Sequence, residues 1–188
     1  MNLSLTPAAT GHRDEGSFAA ETSALVERAR AGDERAFEAV HRRFEALVHG
    51  ILLASAPRSE VDDLMQDVFL SAWRGLASLR TTEHVGAWLA TIARNRARRR
   101  YARAKPVEEL PDELPAKPAR ERAEGREILE VLRTLPESYR ETLTLRLVEN
   151  MTGPEIAERT GLTHGSVRVN LSRGMKLLRE ALELRGYA

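Results

Sequence analysis

The chain has 188 residues, of which 42% are hydrophobic and 30% are charged, and its formal net charge at pH 7 is only +1. This balance is typical of a globular chain with one medium core or two small ones, and it excludes a disordered protein. The chain contains no cysteine, which excludes disulfides, thiolate metal sites and a cysteine nucleophile, and favours a reducing cytoplasm.

The N-terminus shows no targeting signal. Residues 1–20 lack a basic start followed by an apolar run, so we interpret them as a loose tail and not as a signal peptide. The apolar stretch 47–56 is interrupted by polar residues and is shorter than the roughly 18 residues that a membrane-spanning helix needs. We therefore expect a cytoplasmic protein with no membrane insertion.

The segment 21–105 carries the apolar periodicity of helices. Gly32 is expected to stop a first helix that begins near Ser23, and Asp33 is expected to cap a second helix that ends at Pro57. Ser59 then suits the N-cap of a third helix.

A fourth helix is expected from about Glu83 to Ala104. Four helices with short connections predict one bundle-like domain.

The second half of this fourth helix is strongly basic. Between Arg94 and Lys105 there are seven basic residues and no acid. Such segregation concentrates positive potential on one surface and is typical of phosphate binding. A solvated helix end placed favourably in the helix dipole explains the same run equally well.

A proline-rich acidic segment, 106–122, separates this domain from a second helical region, 123–186. Residues 106–118 hold four of the eight prolines, which interrupt helices, and several acids. We interpret 106–122 as an interdomain linker. The sequence thus predicts an all-α protein of two small helical domains.

The second region contains the pattern of a helix-turn-helix. Thr152 and Glu155 form a predicted capping box, Gly161 suits a left-handed helix stop, and Thr163 can cap the next helix. Two short helices joined by a tight glycine-containing turn predict that the second enters a DNA major groove. Many helical hairpins with a basic outer face never contact DNA, so the pattern alone leaves that alternative open.

Three motifs in order resemble those of bacterial sigma factors. Glu60–Trp73 resembles region 2.2, and Gly86–Asn95 resembles the tryptophan-containing helix that follows it. Leu135–Arg140, together with Glu155–Ala157, resembles region 4. Their order and the short chain resemble the extracytoplasmic-function group, which retains regions 2 and 4 only. This resemblance implies a four-helix region 2 and a helix-turn-helix region 4.

The resemblance also implies partners and contact residues. It implies binding to core RNA polymerase and to promoter DNA, and it suggests a cognate anti-sigma factor. It implies no cofactor, no metal, no small-molecule substrate and no catalytic residue. The polymerase contact would fall on five residues of region 2.2: Asp62, Asp63, Gln66, Asp67 and Phe69. Acids and an amide suit a basic partner helix, and Phe69 would be an apolar anchor unless it belongs to the core.

Two further sets are implied for DNA. In region 2, a loop that captures a flipped base and the helix after it would contact the minus-ten element through Arg80, Thr81, Thr82, Glu83, His84, Asn95, Arg96, Arg99 and Arg100. In region 4, the minus-thirty-five element would meet Ser166, Arg168, Asn170, Arg173 and Lys176. Asn170, Gly174 and Met175 depart from the more basic family pattern, as does Gly153–Pro154, so the promoter sequence is not implied.

A one-component transcriptional regulator would carry the same helix-turn-helix and bind operator DNA without polymerase. An enzyme is disfavoured because the five histidines are scattered and no metal spacing, phosphate loop or nucleophile elbow occurs.

Overall fold

In the computed structural model, residues 15–103 and 119–186 are described, and within them every regular element is helical. The α-helices are α1 (Glu15–Arg30), α2 (Glu34–Ser55), α3 (Val61–Gly75), α4 (Val85–Arg103), α5 (Ala119–Thr134), α6 (Glu137–Leu147), α7 (Gly153–Thr160) and α8 (His164–Glu183). Short 3-10 turns lie before α3, after it and before α4. None of the helices in the described ranges combines the length and the apolar composition that a membrane span requires.

Helices α1 to α4 form the predicted bundle-like domain. Gly32 adopts φ 93°, the left-handed conformation that ends α1. The Asp33 carboxylate accepts a hydrogen bond of 3.1 Å from the Ala36 N–H and so caps α2. The apolar stripes of all four helices meet in a core whose largest fully buried side chains include Phe44, Leu47 and Leu89.

The predicted loose tail is partly wrong, because α1 begins at Glu15 and not near Ser23. Phe18 anchors the extra turns: its ring lies 6.2 Å from that of Phe44, edge to face, and the Arg43 guanidinium lies 4.2 Å above it. One aromatic residue makes no periodic pattern, which is why the sequence did not indicate this helix start. Residues 1–14 of the predicted tail lie outside the described residues.

Other boundaries also differ from expectation. Ser59 is not an N-cap, because it lies in the 3-10 turn Arg58–Glu60 and α3 starts at Val61 without a side-chain cap. Helix α5 starts at Ala119, inside the predicted linker. The rest of that linker, 106–118, lies outside the described residues.

Helices α5 to α8 form the second domain. Thr152 and Glu155 make the predicted reciprocal capping box at α7, and Thr163 caps α8 by accepting from the Ser166 N–H at 3.1 Å. Gly161, at φ 74°, makes the turn between them. A small core of Val131, Leu132, Leu135, Leu143 and Leu178 joins α5, α6 and α8.

The two helical domains, whose relative placement the sequence left open, are packed against each other. Leu145, Met151 and Ile156 of the second domain belong to the same continuous core as the first. Gly86 at the start of α4 leaves no room for a side chain, because a Cβ there would lie 2.1 Å from the Arg159 carbonyl oxygen. Contacts between α2 and α6 and between α4 and α7 bring the N-terminal bundle and the helix-turn-helix together.

Candidate functional site

An acidic face lies along the outer side of α3. Asp62, Asp63, Gln66 and Asp67 are exposed, while Val61, Leu64 and Val68 on the opposite side are buried. The period of 3.6 residues therefore separates the polar set from the core, as the motif predicts. Three carboxylates and one amide stand together, which suits a basic partner surface.

Beside this acidic face lies an open apolar hollow of about 320 Å³. It is lined by Phe37, Gln66, Phe69, Leu70 and Trp73. Phe69 is only 5% exposed and its ring lies 3.9 Å from that of His41, so it forms the wall of the hollow and does not protrude. Leu70 is 52% exposed and projects as the apolar neighbour of the acidic face.

Sequence reasoning missed Leu70 as a candidate contact. The signal was present, because Leu70 is a large apolar residue that falls off the buried stripe formed by Val61, Leu64, Val68 and Ala72. An apolar side chain on the polar face of an amphipathic helix is a feature that a partner can cover.

The residues expected in the base-capturing loop lie together before α4. Arg80, Thr81, Glu83 and His84 are exposed, and Thr82 is half-buried. Thr82–His84 forms a 3-10 turn that leads into Val85, the first residue of α4. The loop thus presents hydroxyl, carboxylate and imidazole groups on one accessible edge.

Further along α4, a second set of polar residues is accessible. Asn95, Arg99 and Arg100 are exposed, and Arg96 is half-buried and donates to the Ser71 hydroxyl. Arg100 also donates through Nε to Glu60 at 3.0 Å. These residues can reach phosphates from one face of the helix.

The basic run is not a single phosphate-binding surface, which corrects the sequence-based interpretation. Arg94 donates through Nε and Nη2 to the Glu141 carboxylate, each at 2.8 Å. Arg98 donates through Nη2 to Glu137 at 2.7 Å. Both acids belong to α6, so Arg94 and Arg98 hold the two domains together.

The electrostatics of Arg94 agree with this role. Its hydrogen bonds to Glu141 raise its pKa above the ordinary value, against the opposing effect of burial. Glu141 is 7% exposed, so the guanidinium neutralises a carboxylate that has lost most of its water. Spacing along α4 could not reveal the pair, because the partner lies far along the chain.

The outer face of α8 carries the residues expected to read DNA. Ser166, Arg168, Arg173 and Lys176 are exposed. Asn170 is half-buried, and its Nδ2 lies 3.4 Å from the Thr142 hydroxyl, which it donates to. The buried side of α8 is formed by Val167, Gly174 and Leu178, so the basic face is not covered by its own domain.

Two family profiles match the chain in the order of these domains. The profile described as Sigma-70 region 2 matches residues 37–107. The profile described as Sigma-70, region 4 matches residues 125–178. The first covers α2 to α4 with the acidic face and the loop, and the second covers most of α5 to α8.

Proteins that are similar to this chain in sequence are RNA polymerase sigma factors. The RNA polymerase sigma factor NccH of Alcaligenes xylosoxydans xylosoxydans is 33% identical, over 85% of this chain and 94% of its own length. The ECF RNA polymerase sigma-E factor of Haemophilus influenzae is 26% identical over the same shares. A solved structure, CnrH in complex with the cytosolic domain of CnrY, matches with a TM-score of 0.62 and 26% identity, covering 87% of this chain and 98% of that one. With two region profiles in order and a relative similar over nearly its full length, the chain belongs to the extracytoplasmic-function group of sigma-70 RNA polymerase sigma factors.

Proposed function

We propose that this protein binds core RNA polymerase and directs it to promoters bearing its own minus-ten and minus-thirty-five elements. The observation that carries the proposal is the ordered match to region 2 and region 4, each with an exposed polar face on the expected helix. Sigma factors are DNA-binding initiation factors, so the protein would act by binding and strand opening without a chemical step of its own.

The polymerase contact is proposed for the acidic face of α3. Asp62, Asp63, Gln66 and Asp67 would pair with basic groups, and exposed Leu70 would supply the apolar contact beside them. The buried Phe69 ring would support this contact indirectly, because it forms part of the wall of the hollow that Leu70 borders. This arrangement follows the usual pattern of a central apolar contact with a polar rim.

The promoter contacts are proposed for the two exposed basic surfaces. The loop at Arg80–His84 would capture a base of the minus-ten strand, with Asn95, Arg96, Arg99 and Arg100 holding the neighbouring backbone. The outer face of α8 would enter the major groove of the minus-thirty-five element, where Arg168 and Arg173 suit guanine and phosphate contacts.

A cytoplasmic anti-sigma factor is proposed as a regulatory partner. The similar solved structure is of CnrH in complex with the cytosolic domain of CnrY, and this chain is similar over 87% of its length. Affinity purification from the native host should recover a partner besides the polymerase subunits. Recovery of core polymerase alone would contradict this part of the proposal.

The function is tested by transcription in vitro from a promoter library, with core polymerase in the presence and absence of the purified protein. We expect transcripts that require both. A set of transcripts that is the same without the protein would refute the proposal, and tight operator binding without polymerase would favour a one-component regulator.

A further inference from the structure

The outer face of α8 has an apolar residue at its centre. Val169 is 42% exposed, although the other outward positions of this part of the helix carry polar or basic residues or glycine. At about 100° per residue, Val169 points almost directly away from the buried Leu178, which lies on the core side of the same helix. The valine therefore occupies the middle of the face that is proposed to enter the major groove.

The neighbours of Val169 on this face supply positive charge and hydroxyl groups. Exposed Arg173 and Ser166 lie to one side of it around the helix, and exposed Arg168 lies to the other. Cations on both sides of the valine can reach DNA phosphates, which would hold the apolar side chain against the base edges between them. This charge pattern favours nucleic acid, and not an apolar protein surface, as the group that covers Val169.

Gly165 lies one turn before Val169 and leaves the valine unobstructed. Apart from adjacent residues and the backbone of α8 itself, a Cβ at position 165 would meet only the Thr163 hydroxyl oxygen, at 3.8 Å, so the packing of the domain does not require glycine there. Side chains of an α-helix tilt toward its N-terminus, so that of Val169 leans over the turn that contains Gly165. The absence of a side chain at position 165 lets a base edge approach the valine closely.

Asn170, which was expected to contact the same element, is less suited to the centre of the face. It lies about 100° around the helix from Val169, it is half-buried, and its Nδ2 donates to the Thr142 hydroxyl at 3.4 Å. A bidentate contact with adenine needs the whole side-chain amide, so Asn170 would first have to give up this bond. Val169 makes no such bond and is already directed outward.

The apolar group that base pairs present in the major groove is the C5 methyl of thymine. An apolar side chain gains nothing from the polar base edges, whereas it removes this methyl from water when it covers it. We propose that Val169 contacts a thymine methyl in the minus-thirty-five element and so determines specificity at that base pair. The inference rests on the proposed function, and it adds an apolar contact to the arginine contacts proposed for the same face.

The test measures binding of the full-length protein, in complex with core polymerase, to a promoter selected by the transcription assay. Each thymine of the minus-thirty-five element, on either strand, is replaced in turn by deoxyuridine, which removes the C5 methyl and keeps the hydrogen-bonding groups. We expect substitution at one position to weaken binding by the wild-type complex about threefold to fivefold, as for exposure of one methyl-sized group. Fluorescence anisotropy of the labelled promoter gives the affinities.

The same comparison with Val169→Ala identifies the residue responsible. The shortened side chain no longer reaches the methyl, so this complex should bind the thymine and deoxyuridine promoters equally. Met175→Ala is the matched control: Met175 is 38% exposed on the same helix but lies about 120° around it from Val169, so the preference for thymine should be unchanged. Circular dichroism checks that both variants fold, and the thymine preference of the wild type needs no variant.

Failure of this inference is distinguishable from failure of the proposed function. Equal binding of the unmodified promoter and of every deoxyuridine promoter by the wild-type complex would overturn the inference alone, as would a minus-thirty-five element without thymine. A thymine preference that persists in Val169→Ala would overturn it too, because another residue would then contact the methyl. A complex that does not bind even the unmodified promoter would refute the proposed function and this inference with it.

Discussion

His49 forms a titratable link between the two domains. Its Nδ1 lies 2.6 Å from the Oε1 of Glu149, which follows α6, while His49 itself lies on α2. The hydrogen bond to Glu149 raises the pKa of His49 above its usual 6.5, against the opposing effect of burial. The imidazolium form is therefore favoured in the folded, packed protein.

This pair predicts a pH dependence of stability. Because the folded pKa of His49 is raised, its contribution is fully present below the unfolded value of about 6.5 and is lost as the pH rises through the folded pKa. His49→Gln should flatten the fall in free energy of unfolding as the pH rises above about 6.5. We expect a difference of no more than about 1 kcal/mol, because the side chain is 37% exposed.

Urea unfolding at a series of pH values measures this effect. His84→Gln is the control, since His84 is exposed in the turn before α4. An unchanged slope for His49→Gln, or an equal change for His84→Gln, would contradict the link.

The contact between α4 and α7 depends on a glycine. A Cβ at Gly86 would lie 2.1 Å from the Arg159 carbonyl oxygen and 2.9 Å from Cε1 of Phe44. Backbone cannot yield as a flexible side chain does, so the two helices approach this closely only because position 86 has no side chain.

Gly86→Ala should therefore weaken the packing of α7 on α4. Overpacking typically costs about 1–3 kcal/mol, although alanine regains up to about 1 kcal/mol in helix propensity. We expect a net loss of about 1–2 kcal/mol in urea unfolding. Gly153→Ala, where a Cβ meets nothing within 4 Å, should be neutral or stabilising. Equal stability of the wild type and Gly86→Ala would disprove the requirement.

Helix α8 permits a test of DNA reading. Arg168 and Arg173 are exposed on its outer face. Replacing either with alanine should cost the complex with core polymerase about 1–3 kcal/mol in affinity for a minus-thirty-five duplex if the arginine reads a base, and should reduce the salt dependence if it contacts phosphate. Fluorescence anisotropy at several salt concentrations distinguishes the two. Arg35→Ala, remote on α2, should leave the affinity unchanged, and a similar loss there would argue against a specific face.

The packed arrangement conflicts with simultaneous contact to both promoter elements. Their names place them about 25 base pairs apart, or about 85 Å along B-form DNA at 3.4 Å per pair. A compact chain of this length has a radius of gyration of about 16 Å. The 15 or so residues between α4 and α5 could extend to about 50 Å. We infer that the domains separate when the protein engages a promoter.

The ion pair of Arg94 with Glu141 should control that separation. Arg94→Gln would leave the Glu141 carboxylate, 7% exposed, without its counter-ion, and breaking a buried pair in this way typically costs about 3–5 kcal/mol. We expect a larger radius of gyration in small-angle X-ray scattering and restoration of packing in the double variant with Glu141→Gln. Identical scattering of the wild type and Arg94→Gln would show that the pair does not hold the domains.

Much of the architecture is local in origin and could be predicted. The capping box at Thr152, the left-handed Gly161 and the cap at Thr163 depend on residues within a few positions of one another, and all three are confirmed. The split of α3 into an acidic and a buried face follows from its periodicity. The start of α1 was missed because a single aromatic anchor, Phe18, leaves no repeating pattern.

The amino-acid sequence alone predicted an all-helical chain with two groups of helices and the exposed faces of α3 and α8. Helix formation and amphipathicity depend on neighbouring positions, so the sequence carries both. It did not indicate that Arg94 and Arg98 face α6 or that Phe69 turns toward His41. Those features arise where segments that are far apart along the chain come into contact. Such contacts produce no periodic pattern in the sequence. Three-dimensional packing alone brought them together.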